Sequence, residues 1–160
     1  MQIAKHLGAQ VTGVCSTPHL DLVRGLGADQ VIDYTREDFT AGPAGYDLVF
    51  QLGGTYSPAA IRRVLAPHGM LIQSSGDGGR WLGPLGNMIK ASVLNRFTKQ
   101  SLKAFTATVT AEALNEIKDL IESGRIAPVI ERTFPLTQAA AAVDLVEKGS
   151  PPGKVVVVVD

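Results

Sequence analysis

Within its first 34 residues the chain writes one helix-to-strand junction twice: Leu7-Gly8-Ala9-Gln10-Val11, then Leu26-Gly27-Ala28-Asp29-Gln30-Val31. In each copy a Gly follows an apolar helical stretch, where a left-handed C-cap conformation carries no Cβ strain. A β-branched strand follows at once, Val11-Thr12-Gly13-Val14 and Val31-Ile32. Thr17 and Pro18 between them read as an N-cap followed by a proline at the first helical position. Helix, strand, helix, strand at this spacing means parallel strands joined by crossovers. The helix of residues 1–7 has no cap, Pro or acidic first turn, so it reads as cut, without the strand that opens such a unit.

The alternation continues. The run from Val11 to Cys15 predicts a strand buried on both faces. Thr35 is expected to cap a short helical turn, and Tyr46 to Leu52 to form a third strand. Ser57-Pro58 starts a helix running to about Leu65, and Met70 to Ser74 is a fourth strand after the turn Pro67-His68-Gly69. A helix is expected over about 85–94 and a strand over 105–109. Thr110 caps a helix whose Ala113, Leu114, Ile117, Leu120 and Ile121 share one face. Residues 128–134 form a strand, Thr137 caps a helix closed by Gly149, and Val155 to Val159 is a last strand. The expected fold class is α/β: an incomplete Rossmann-like, doubly wound parallel sheet followed by a C-terminal α+β segment.

At 160 residues, 45% apolar and 19% charged with zero net charge, the chain is long enough for a proper core. Interspersed signs leave no basic footprint for nucleic acid. No apolar run approaches the ~20 residues of a membrane span. The single Cys15 excludes an internal disulfide and favours a reducing compartment. With no targeting signal at the start, the expected localisation is cytoplasmic.

Six pieces in order carry a resemblance: QIAKHLGAQVTGVCST, LVRGLGADQVIDY, YDLVFQLGG, RRVLAPHGMLIQ, IESGRIAPVIERTFPL and AVDLVEKGSPPGKVVVVV. The chain resembles the coenzyme half of medium-chain dehydrogenases/reductases, in the branch of quinone oxidoreductases and zinc-type alcohol dehydrogenase homologues. The resemblance covers essentially the whole chain. It implies a truncated dinucleotide-binding domain over 1–109 and, over 110–160, the segment that rejoins the catalytic domain. Family members carry a glycine fingerprint just before the first helix and a catalytic domain further upstream, and this chain begins inside that helix. Gly25-Leu26-Gly27 and Gly76-Asp77-Gly78-Gly79 fail as substitutes, the first because it ends a helix before a strand.

The resemblance implies a nicotinamide dinucleotide cofactor, NADP with NAD also admitted, and a small-molecule substrate in the full-length parent. NAD sites place an acid at the tip of the first strand present here; this tip is Cys15-Ser16-Thr17, whose small hydroxyls leave room for a 2′-phosphate and can donate to it. Ser16 and Thr17 line the cofactor in that reading, while Thr17 can equally serve only as a helix cap. Some relatives have Lys where this chain has His19. Tyr34 matches a family tyrosine near the adenine end, or is an ordinary strand-end aromatic. Gly53 and Gly54 would admit the cofactor backbone or form a tight turn. Ser74, Ser75 and Gly76 occupy the loop that faces the nicotinamide side, and Lys154 resembles a position near the cofactor or is a solvated strand-end lysine.

His6, His19 and His68 lack metal-ligand spacing, so zinc is not expected to be held by this chain. No catalytic residue is expected within it, because proton donors or zinc come from the other domain in the family. Three functions follow: the coenzyme part of an NAD(P)-dependent oxidoreductase, a non-catalytic nucleotide-binding or docking module, or, more weakly, a methyltransferase-like sheet. Partnerless C-terminal strands would also favour homo-oligomers through sheet edges.

Overall fold

A computed structural model of the chain describes residues 1–53, 56–73, 99–104, 108–149 and 151–159. They fall into two compact units, Met1–Glu37 with Val109–Asp160, and Asp38–Thr108. The helices are α1 (Gln2–His6), α2 (Leu20–Gly25), α3 (Pro58–Val64), α4 (Ala111–Glu122) and α5 (Ala139–Lys148). The strands are β1 (Thr12–Cys15), β2 (Gln30–Asp33), β3 (Tyr46–Gln51), β4 (Leu65–Gln73), β5 (Ser101–Ala104), β6 (Ile130–Pro135) and β7 (Lys154–Val158). Every pairing among the described residues is parallel: β1 with β2, β3 with β4 and β4 with β5, β6 with β7. The molecule is therefore α/β with parallel sheets, as its alternation requires. No helix among the described residues is long and apolar enough to cross a membrane.

The repeated junction has the geometry its glycines predict. Gly8 and Gly27 take φ of +81° and +91°. At the first end, the Gly8 N–H donates to Lys5 and the Ala9 N–H to Ala4; at the second, Gly27 donates to Arg24 and Ala28 to Val23. These paired bonds are the Schellman closure. Gly124 (φ +69°) repeats it after α4. The start of β1 is then bolted down by Asp29: its carboxylate accepts from Val11 N–H at 2.7 Å and from Lys5 Nζ at 2.8 Å. Gln2 reaches the other half of this unit, donating to Ala127 C=O at 2.8 Å while accepting from Ala127 N–H at 2.7 Å. Phe134 of β6 and Ala142 of α5 are buried, and Arg132 stacks 5.0 Å over the Phe134 ring.

In the other unit, Ile61, Leu65, Leu71 and Leu102 form the buried cluster, flanked by Phe39, Tyr46, Val49 and Tyr56. Phe39 and Tyr56 meet edge-to-face at 4.7 Å. The turn over residues 67–69 lies inside β4 as a bulge: Leu65 pairs with Tyr46 and Met70 with Leu48. Gly69 is needed there, since a Cβ would stand 2.6 Å from the Tyr46 carbonyl oxygen. Gln100 fastens the end of α3, donating from Nε2 to the carbonyls of Arg62, Leu65 and Ala66.

Several local expectations are corrected. Ser57 and Thr110 cap as expected, accepting from Ala60 and Ala113 N–H at 3.2 Å. Thr17 and Thr137 do not. Each lies inside a 3-10 turn (Thr17–His19, Leu136–Gln138) that runs directly into its helix, which moves the cap position upstream to Ser16 and Pro135, without a side-chain cap bond. Asp38, not Thr35, caps the turn at Phe39–Ala41, accepting from Thr40 N–H at 2.9 Å. Val14 is 40% exposed, so β1 is not buried on both faces. Of the strand expected over 105–109, residues 105–107 lie outside the described residues and Thr108 and Val109 are not strand; the strand described in this stretch is Ser101–Ala104, where Leu102 seats in the core opposite Leu71. The helix expected over 85–94 lies outside the described residues.

Candidate functional site

In sheets of this kind ligands bind outside the carboxyl ends of the strands. Register sets Cys15 of β1 beside Asp33 of β2, so the residues that follow both strands share one edge: Ser16 and Thr17 after β1, Tyr34 and Thr35 after β2. Asp33 is the hub. Only 5% exposed, it accepts through Oδ1 from Thr35 N–H at 2.9 Å and from Thr35 Oγ1 at 2.7 Å. Through Oδ2 it accepts a short hydrogen bond from Thr17 Oγ1, and Arg36 Nε stands 3.5 Å from the same oxygen. The Thr17 bond, followed by those of Thr35, holds the Asp33 carboxyl below its ordinary value of 3.8, so it is ionised at neutral pH.

This hub changes what Thr17 can do. A hydroxyl has one proton to donate, and Thr17 directs its own in a hydrogen bond to the Asp33 carboxylate. The two hydroxyls of Thr17 and Thr35 lie 3.0 Å apart with both protons aimed at the carboxylate. What Thr17 offers outward in this arrangement is lone pairs, which can accept a hydrogen bond. Ser16 keeps its hydroxyl out of any capping bond. Tyr34, 53% exposed, stands at the same edge, its N–H donating to Cys15 C=O at 3.0 Å. The Cys15 thiol has its pKa raised by burial and then by the Asp33 charge, which suppresses the nucleophilic thiolate.

Gly53 belongs to the other unit, and a Cβ there would meet nothing within 4 Å, so no close approach requires glycine. Beside it, Gln51 and Gln73 close the carboxyl ends of β3 and β4: Gln73 Nε2 donates to Gln51 Oε1 at 3.2 Å, and Gln51 Nε2 to Tyr56 C=O at 3.3 Å. Gly54, Ser74, Ser75 and Gly76 lie outside the described residues. Lys154 begins β7, the amino end of a strand, with its N–H on Val129 C=O at 2.7 Å. It lines a shallow cavity of about 280 Å³ with Pro128, Val129, Pro151, Pro152 and Gly153. Among the described residues no three His, Cys, Asp or Glu side chains gather to hold a metal.

Asp33 and Arg36 were missed in sequence because the tip acid was sought after β1 alone. The signal that could have found them is the Asp-x-Thr run closing β2, an Asx-type turn in which Asp bonds the backbone two residues on.

Comparisons with known proteins agree with this architecture. The chain is 31% identical over 161 residues to a chloroplastic NADPH-dependent alkenal/one oxidoreductase of Arabidopsis thaliana, covering 98% of this chain and 36% of that protein. It is 33% identical over 174 residues to the mitochondrial NAD(P)H oxidoreductase RTN4IP1 of Mus musculus, covering 98% of this chain and 43% of that one. Among solved structures it superposes on a quinone oxidoreductase from Coxiella burnetii with a TM-score of 0.79 at 25% identity, over 98% of this chain and 47% of that chain. The chain thus spans less than half the length of each of these proteins. A family model for zinc-binding dehydrogenases matches residues 26–157. With most of its length matched, the chain belongs to the zinc-binding dehydrogenase family, within the medium-chain dehydrogenases/reductases that its six sequence pieces resemble.

Proposed function

We propose that the chain is the coenzyme-binding part of an NAD(P)-dependent oxidoreductase, leaning to NADPH, that passes hydride between nicotinamide and a quinone, enal, ketone or alcohol. The observation that carries this reading is the polar edge at the carboxyl ends of β1 and β2, where Ser16, Thr17, Tyr34 and Asp33 meet. Relatives named as NADPH-dependent and NAD(P)H oxidoreductases support it. The bound dinucleotide supplies the hydride. The chain's residues bind and orient: Thr17 accepts from the adenosine ribose, Ser16 donates beside it, and the exposed Tyr34 ring borders the adenine. Gly53, Gly54, Ser74, Ser75 and Gly76 belong to the same reading as the stretch along the rest of the cofactor, and Lys154 as a further contact. Residues 1–109 form the dinucleotide-binding part in this proposal and 110–160 the segment that joins a catalytic domain. Cytoplasmic residence is part of it as well, supported by the single Cys15, although the relatives are named for chloroplast and mitochondrion.

The isolated chain is expected to bind the cofactor weakly and turn nothing over. Titration with NADPH and NADH, followed by an assay with a quinone and an enal, tests both halves. Weak saturable binding without turnover is the expected result. Tight binding with measurable reduction of either substrate overturns the inactivity, and no binding of either cofactor overturns the whole reading.

A further inference from the structure

The strand edge holds a cation that the sequence reading passed over. Thr17 Oγ1 and Arg36 Nε converge on one oxygen, Asp33 Oδ2, while Thr35 occupies Oδ1. A guanidinium carries five N–H groups in a planar fork. With Nε turned to Asp33, its two terminal nitrogens remain on a side chain that is 74% exposed. The Asp33 side chain is almost fully enclosed, so it fixes where the guanidinium lies and offers little of its own charge to solvent. Because the Thr17 hydroxyl already donates to Asp33, a phosphate at this edge needs donors beyond the Ser16 hydroxyl. Arg36 is the neighbour that has them, and its fork fits a phosphate two bonds at a time. The pair is long at 3.5 Å and its guanidinium is exposed, which lets the guanidinium turn toward a dianion.

We propose that Arg36 recognises a 2′-phosphate on the adenosine ribose, with Asp33 as the positioning residue that orients it and Thr17 accepting from the adjoining ribose hydroxyl. The inference rests on the coenzyme-binding reading above and adds to it a residue that sets the choice between phosphorylated and unphosphorylated dinucleotide. Arg36 supplies the cation missing where His19 stands.

The test is calorimetric titration of the full chain with 2′,5′-ADP, 5′-AMP and inorganic phosphate, for the parent protein, Arg36→Ala and Arg36→Lys. Because Arg36 is exposed, both variants keep the parent's circular dichroism. Arg36→Ala is expected to weaken 2′,5′-ADP by roughly 10- to 100-fold, the order of one charge-assisted contact, and to leave 5′-AMP unchanged. Arg36→Lys restores part of the loss, since a point charge lacks the fork. Equal losses for both nucleotides, or none, overturn the proposal while the coenzyme reading stands. Inorganic phosphate binding as tightly as 2′,5′-ADP overturns it too, as an undirected anion site. A parent chain that binds neither nucleotide nor NADPH nor NADH removes the coenzyme reading, and this inference with it.

Discussion

Gly13 shows how closely single atoms are fitted. It sits buried in the middle of β1, and an added Cβ would stand 2.4 Å from Val23 Cγ1 and 3.0 Å from Met1 Cε. Met1 could swing aside, but the Val23 branch is stiff on α2. Gly13→Ala is therefore expected to lower stability by roughly 1–3 kcal/mol through overpacking, read as a reduced urea midpoint with unchanged slope. A midpoint equal to the parent's would mean that α2 is free to shift off the sheet. At the same scale, the polar edge was half legible. Ser16, Thr17 and Tyr34 could be named from their places after strands. The hydrogen bond that Thr17 donates could not, because Asp33 lies 16 residues away and reaches it only across the parallel pair.

Among the elements, helix ends were read best where the signal is local. The glycines of the repeated junction close their helices as their lack of Cβ predicts, and Thr110 caps α4 from the residue where the pattern placed it. Thr137 looks the same in sequence and does not cap, because a 3-10 turn precedes α5. The contrast gives a paired expectation. Thr110→Ala should cost about 1 kcal/mol (0.5–2 for a lost cap), and Thr137→Ala close to nothing, both from thermal unfolding. Equal losses at the two sites would mean that Thr137 caps in solution. Strand limits were read less well. Residues 101–104 alternate polar and apolar over only four positions, too short a run to stand out, and what makes them a strand is the seat that the rest of the core offers Leu102.

For the whole molecule, three carboxylates tie neighbouring segments in both units. Asp29 is held below its ordinary value by Lys5 and then the Val11 N–H, Asp33 by Thr17 and then Thr35, and Asp38 by the Thr40 hydroxyl and then its N–H. A carboxyl whose folded pKa is depressed contributes stability that is fully present above its unfolded value and is lost as pH falls through the folded one. All three shift downward from 3.8, so the acid loss belongs below that pH. Urea midpoints are expected to hold steady from neutrality to about pH 5 and to fall steeply under 3.8, with a shallower fall in the Asp29→Asn, Asp33→Asn, Asp38→Asn triple variant. An identical acid slope in that variant would show that other groups govern the loss.

The sequence by itself determined the order of elements, the parallel α/β class and the helix ends at Gly8, Gly27 and Gly124, because caps, glycines and apolar periodicity act over a few neighbouring residues. Only the tertiary structure decided which side chains share the strand edge. Parallel pairing brings the tips of β1 and β2 together across a crossover, and there Asp33 accepts a hydrogen bond from Thr17 and pairs with Arg36. Hydrogen-bond partners so far apart in the chain leave no periodic trace in it.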